Sequence, residues 1–368
     1  MDYKYNVRTK NLESETIDCL RFPLMVGVLF IHNYSSIEFL GLENSVSSLP
    51  IYNVFSQLFS QVLGRVAVPL FFFISGFLFF KCKDFTISVY ASKLKRRVRT
   101  LLIPYLFWNV SFLFFYYLLA RVSFFSNYII GNEYNIKYIL TSLWGIVDED
   151  GTASYPIAYQ FWFIRDLMVV VLISPLLYIT IRKIGILLIL IEGILWYSGY
   201  SIPVIGIYGL STSSLFFFSI GAWFSINHKD FLPLFREVQF LLFVFYPLIV
   251  FWDLYTKSTD FNFIIHKTGI LVGIAFCFCL ISRLIENKMI YSSVFLSTFS
   301  FFLYAVHDPW LLSQVRKVMF KVVELRTDLI LTVSYFLSVI ITVFLALILY
   351  CFLKKYMYSF LLIITGRY

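Results

Sequence analysis

Val66-Ala67-Val68-Pro69-Leu70-Phe71-Phe72-Phe73-Ile74-Ser75-Gly76-Phe77-Leu78-Phe79-Phe80 runs without a charge between Arg65 and Lys81. Taken back to residue 58, the stretch is long enough to cross a bilayer core, which takes about 20 apolar residues per helix. Similar stretches recur along the chain at 20–40, 101–121, 159–181, 184–200, 204–226, 238–256, 267–285, 293–314 and 328–353. The predicted fold is therefore an all-α polytopic transmembrane helical bundle of about ten spans.

Composition leads to the same class. Of the 368 residues, 60% are hydrophobic and 14% charged, against about 45–50% and 25% in soluble domains. Aromatics reach 21%, with 43 Phe and 26 Tyr, and the mean hydropathy is +0.82. A soluble chain so composed would lack the polar surface to stay dissolved. Disorder, coiled coil, collagen and disulfide-rich scaffolds are excluded. The five cysteines are scattered, mostly in apolar runs, and complete no metal set, so they read as packing residues.

The net charge of +9 would suggest nucleic acid in a soluble protein. Here the basic residues flank spans, which is a topology signal, and no nucleic-acid partner is expected. With the N-terminus inside, the inner segments collect 19 of the 30 Lys and Arg, so both termini are expected in the cytoplasm. The outer loop holding Arg316, Lys317, Lys321 and Arg326 runs against that bias. Residues 1–19 read as a polar cytoplasmic N-terminus with no cleaved signal, 20–353 as the transmembrane domain, and 354–368 as a short cytoplasmic tail. About 122–158 is expected to be non-helical.

Ionisable residues inside apolar spans are functional candidates by default. Asp18-Cys19-Leu20-Arg21 opens a run ending at His32. Arg21 and His32 lie 11 residues apart, which places both on one helix face about 16 Å apart along the axis. A guanidinium at the cytoplasmic mouth can hold phosphate, and an imidazole three turns deeper can accept a proton near neutral pH. The packing-only reading is an Arg21 that snorkels to headgroups and a His32 in a polar contact.

Three further groups qualify. In the run opened above, Pro69 frees a carbonyl, and Ser75-Gly76 admits a close backbone or ligand approach. Lys93-Leu94-Lys95-Arg96-Arg97-Val98-Arg99 is a basic loop that signals topology or contacts anionic lipid. Arg96 and Arg99 would share a face if helical and grip a phosphorylated ligand. Arg165-Asp166 in the fourth span must face protein or water. His307-Asp308 in the ninth supplies either a second acid–base group or a core histidine. No internal repeat of the transporter kind is visible.

Together these pieces resemble the membrane-bound acyltransferase family 3 of bacterial surface-polysaccharide O-acyltransferases. The resemblance is carried by Arg21-x10-His32, Val68 to Phe77, Arg96-x-x-Arg99 leading to Pro104, and Tyr304 to His307. The family's usual Asp-Gly-Leu-Arg is Asp-Cys-Leu-Arg here. The resemblance implies transfer of an acyl group, usually acetyl and sometimes succinyl, from cytoplasmic acyl-coenzyme A to a glycan hydroxyl. Acetyl-CoA or another acyl-CoA is then the co-substrate, with no metal.

On that basis His32 and Arg21 are the expected catalytic residues, and Arg96, Arg99 and Arg21 the expected coenzyme A ligands. Ser75, Arg165, Asp166, His307 and Asp308 are expected in substrate-binding or supporting roles. Direct transfer and an acyl-His intermediate stay open. The partners expected are the donor, the glycan acceptor and the lipid bilayer, with an unidentified polysaccharide-assembly protein as a further possibility. The competing functions are a transporter or flippase for a polar or lipid-linked solute, and a non-catalytic component of an assembly complex.

Overall fold

The computed structural model describes residues 2–34, 49–120, 136–147, 154–199, 209–322 and 327–367. Helices α1 (Asp2–Asn33), α2 (Pro50–Phe80), α3 (Ile87–Leu119) and α4 (Ile136–Trp144) lead to a two-residue antiparallel pairing of β1 (Ile146–Val147) with β2 (Ser154–Tyr155). Then follow α5 (Trp162–Leu172), α6 (Ser174–Tyr197), α7 (Thr212–Ile226), α8 (Phe231–Glu237), α9 (Gln239–Tyr255) and α10 (Asn262–Glu286). The chain continues with α11 (Val294–Val306), α12 (Leu312–Val322), α13 (Asp328–Tyr356) and α14 (Tyr358–Thr365).

Five of these, α2, α3, α6, α10 and α13, are long and apolar enough to cross a membrane. A sixth is reached if α8 and α9, bent by 77°, form one span. The protein is thus a multi-pass helical membrane protein.

Lipid is as apolar as leucine, so helices in a bilayer associate through close packing rather than hydrophobic transfer. The α2–α7 pair shows how the sequence arranges this. A Cβ on Gly76 would stand 2.0 Å from the Phe218 carbonyl oxygen, and one on Gly221 would stand 2.0 Å from that of Phe73. Each glycine therefore lets the other helix's backbone in. Around this crossing Phe73, Phe77 and Phe278 surround Phe231, with ring centroids 5.2, 4.9 and 4.5 Å away.

Three prolines adjoin irregular turns within the helices. Proline cannot donate to the carbonyl four residues back. Ahead of Pro69, α2 passes through a π segment (Gln57–Leu63) and a 3-10 turn (Gly64–Val66). Ahead of Pro104, α3 widens into a π segment at Val98–Leu102. Pro309 lies in a third, His307–Leu311, where Asp308 leaves helical geometry at φ −139° and ψ 156°. The Ala305 carbonyl that Pro309 frees accepts a bond of 3.3 Å from Gln160 Nε2. Each break carries or adjoins a charged candidate: Arg65, Arg99 and the His307-Asp308 pair.

Several expected boundaries move. Arg182 and Lys183, expected between two spans, lie inside α6, which only kinks at Ile184. Ser174-Pro175 starts that helix, because proline fits a first turn whose N–H groups have no intrahelical acceptor. The fourth expected span therefore shrinks to α5. The ninth is broken at His307–Leu311. The basic loop at 93–99 is helical, and α4 stands within the stretch expected to be non-helical. Residues 354–368 hold the apolar α14, whose Leu361 and Ile364 are buried. The expected spans also include 35–40, 121, 200 and 204–208, which lie outside the described residues.

In the polar start of α1, Glu13 is 1% exposed, and its carboxyl stands 3.7 Å from Lys81 Nζ. Burial pushes its pKa up from 4.5 to about 7, against the pull of Lys81. A raised carboxyl pKa contributes stability that is whole below about pH 4.5 and lost as pH rises through 7. At pH 8, ionising Glu13 costs the fold on the order of 3 kcal/mol. Thermal unfolding in nanodiscs should therefore show Glu13→Gln gaining on the parent protein at pH 8 and not at pH 5.

Candidate active site

A cavity of about 2060 Å³ runs along α1 and is lined by Arg21, Met25, Val28 and His32, one helical stripe. The two residues expected on a common face therefore do open onto one space. At one end the cavity is rimmed by cations. Arg96 and Arg99 line it, as do Lys93, Arg97, Lys354 and Arg367.

The basic rim is organised around Ser297 at the start of α11. Arg21 Nη1 donates to Ser297 Oγ at 2.8 Å, and Arg367 Nη2 donates to the Ser297 carbonyl at 3.1 Å. Arg21 also pairs with Asp18 at 3.2 Å. Arg97 and Lys93 lie over the Phe79 ring, 5.9 and 5.5 Å from its centroid. Among the described residues, Arg96 and Arg99 take no carboxylate in an ion pair. Such a rim presents several guanidinium groups with donors to spare, which is what a polyphosphate requires.

At His32 the wall is built in depth. His32 Nδ1 lies 3.1 Å from Tyr159 Oη and 3.3 Å from Asp308 Oδ2, and Tyr159 donates its phenolic proton to the same carboxylate oxygen. Both neighbours of Nδ1 therefore present acceptor oxygens, which places the ring proton on Nδ1 and leaves Nε2 as the lone-pair nitrogen. The residue thus has a carboxylate to steady the imidazolium formed when Nε2 takes a proton.

Asp308 itself is fixed from behind. Its carbonyl accepts from Gln160 Nε2, and Tyr304 Oη donates to the Gln160 carbonyl at 2.6 Å. His307, wholly buried, has its ring 5.1 Å from that of His32 and its Nδ1 2.7 Å from the Tyr304 carbonyl. Arg316 Nη1 donates to the His32 carbonyl at 2.9 Å, pinning the end of α1.

His32, His307 and Asp308 each offer a ligand atom, all within 4.8 Å of one another. Zinc bonds of about 2.0–2.1 Å would draw tetrahedral ligands to roughly 3.4 Å apart. The observed pairing of Asp308 with His32 and Tyr159 fits an acid–base set directly.

The remaining expected residues separate clearly. Ser75 lines the cavity. Arg165 and Asp166 do not. They form a buried pair at 3.1 Å, and Arg165 Nη1 also donates to the Trp144 carbonyl at 3.0 Å, which ties α5 to α4. Tyr159, Gln160 and Arg316 were not singled out from the sequence. Arg316 did carry a signal, since it belongs to the basic loop that runs against the charge bias.

The profile of an acyltransferase domain matches residues 14–351 of the chain. The succinoglycan biosynthesis protein ExoH of Rhizobium meliloti (strain 1021) is 29% identical over 219 residues, covering 58% of this chain and 54% of that protein. The match thus spans about half the length of that relative. No solved structure matches.

Proposed function

The chain belongs to the acyltransferase family, and we propose that it moves an acyl group from cytoplasmic acyl-coenzyme A to a hydroxyl of a surface polysaccharide or glycolipid precursor. The observation that carries this reading is the shared cavity: His32 at one place on its wall and the cationic rim of Arg21, Arg96 and Arg99 at another. Their separation along α1, about 16 Å by helical rise, is comparable to a pantetheine arm. Phosphates held at the rim would let the thioester reach the imidazole.

Both termini then face the cytoplasm of a bacterial inner membrane, with the chain crossing about ten times. Crossings beyond the five long helices use shorter or broken segments such as α5, α7 and the α11–α12 pair. The likeness to ExoH supports a polysaccharide as the acceptor class.

The chemistry is an addition–elimination at the thioester. The acceptor hydroxyl attacks the carbonyl carbon while His32 Nε2 takes its proton. The C–S bond breaks, and the thiolate leaves with the proton returned by the imidazolium. Asp308 and Tyr159 hold the Nδ1–H throughout. Ser75 stands toward the rim instead, about 16 Å by helical rise from Gly64, which packs on α1 at Gly27 and Ile31, and it is left out of the reacting centre.

Membranes carrying the protein, given radiolabelled acetyl-CoA, should yield labelled glycan; a transporter or flippase would leave none. Reversing charge at Arg96 and Arg99 together should weaken acetyl-CoA binding about a hundredfold or more at low salt, since each lost charge-assisted contact is worth roughly 1.5–3 kcal/mol. The difference should shrink as ionic strength rises. Isothermal titration in nanodiscs at two salt concentrations checks it, and unchanged affinity would leave those residues with topology alone.

A further inference from the structure

Arg65 stands in an apolar helix with a guanidinium that the reaction described above does not use. It follows directly on the π segment of α2, where Gly64 packs so closely on α1 that a Cβ there would meet the Gly27 carbonyl oxygen at 2.9 Å. That crossing fixes the turn and leaves Arg65 on the cavity wall. Nε and Nη2 both bond one acceptor, Gln61 Oε1, at 3.1 and 2.6 Å. Among the described residues no carboxylate pairs with it.

Its place in the cavity is distinct from the basic rim. Ser60 Oγ, one turn before Arg65, donates to the Phe30 carbonyl at 2.5 Å, and Gly64 packs against Ile31, so Arg65 stands near the His32 end of α1, whereas Arg21 is three helical turns away from His32. Coenzyme A phosphates bound at the rim would not extend to it. An oxyanion exists only during the reaction and does nothing for a permanent charge in the resting protein. A standing cation in a membrane-spanning helix calls for a standing anion when the cavity fills.

We infer that Arg65 and Gln61 form an acceptor subsite for a negatively charged group, so that the glycan acylated at His32 carries an anion close to the reacting hydroxyl. The group is a carboxylate or a phosphate, the two anions a guanidinium fork binds alike. A carboxylate would be part of an acidic sugar; a phosphate would join the sugar to a lipid carrier. This inference rests on the acyl-transfer reading and adds the acceptor's charge to it.

The test compares acceptors on one enzyme, so that the ratio does not depend on how much protein is folded. Purified protein in nanodiscs receives radiolabelled acetyl-CoA with methyl glucoside, methyl glucuronide or a polyprenyl-phosphate-linked glucose. The expected result is kcat/KM about tenfold or more higher for a charged acceptor than for methyl glucoside. The better of the two charged acceptors identifies the source of the anion. Arg65→Gln should bring that ratio close to one through a raised KM, and Arg65→Lys, which keeps the charge, should retain most of it. A ratio near one in the parent protein, or one that Arg65→Gln leaves unchanged, overturns the inference while acyl transfer itself stands. Absence of label from every acceptor, and also from the cell's own glycan, overturns the acyl-transfer reading and this inference with it.

Discussion

Replacing His32 by alanine is expected to abolish glycan labelling while leaving the protein inserted and able to bind acetyl-CoA. On the cavity wall that imidazole offers a lone-pair nitrogen backed by a carboxylate, through Nδ1 at 3.3 Å from Asp308. Removal of a positioned general base lowers rates by about 10²–10⁴. The donor's phosphates are assigned to the basic rim, so its affinity should be little affected. Single-turnover transfer from radiolabelled acetyl-CoA, read beside equilibrium binding of the same donor, separates the two quantities. Full transfer by His32→Ala would remove the residue from the mechanism. Joint loss of transfer and binding would instead mean that the upper part of α1 had collapsed, a result that His32→Gln, nearer in size, would resolve.

The sequence made the stripe on α1 readable because helical periodicity is a local property. Eleven residues return a side chain to the same face whatever the surrounding fold, and Arg21 and His32 do share a cavity wall. Long apolar stretches were equally readable, since bilayer thickness sets their length. The partners of His32 were not. Tyr159 and Asp308 come from positions more than a hundred residues on, and hydropathy carries no information about which helices meet. The breaks fall between these cases. Pro69, Pro104 and Pro309 are visible as residues, yet the π segments next to them depend on how the freed carbonyls find new donors, as Gln160 does for Ala305. Arg165 and Asp166 show the opposite limit. Burial makes any such pair a candidate, but these two neutralise each other away from the cavity, as an ion pair that ties helices together also does.

Asp308→Asn should cost acyl transfer nearly as much as loss of the imidazole, for a reason specific to this geometry. The carboxylate accepts on Oδ2 from Tyr159 and stands 3.3 Å from His32 Nδ1. As an acceptor-only group it keeps the ring proton on Nδ1. A carboxamide can turn its NH2 toward Nδ1, which moves the proton to Nε2 and removes the lone pair that the reaction needs. Where an analogous aspartate in the serine-protease triad is changed in this way, the rate falls about 10⁴-fold with the geometry intact, and a loss of about 10²–10⁴ is expected here. The backbone should hold its place, because Gln160 bonds the Asp308 carbonyl and not its side chain. Tyr159→Phe supplies the contrast. It removes one hydrogen bond from the carboxylate but leaves the acceptor beside Nδ1, so the loss should be about tenfold. Transfer rates for both variants, measured beside their thermal unfolding, decide the matter. If Asp308→Asn falls no further than Tyr159→Phe at equal stability, the carboxylate does not set the tautomer, and His32 must be held in its reactive form by contacts with substrate.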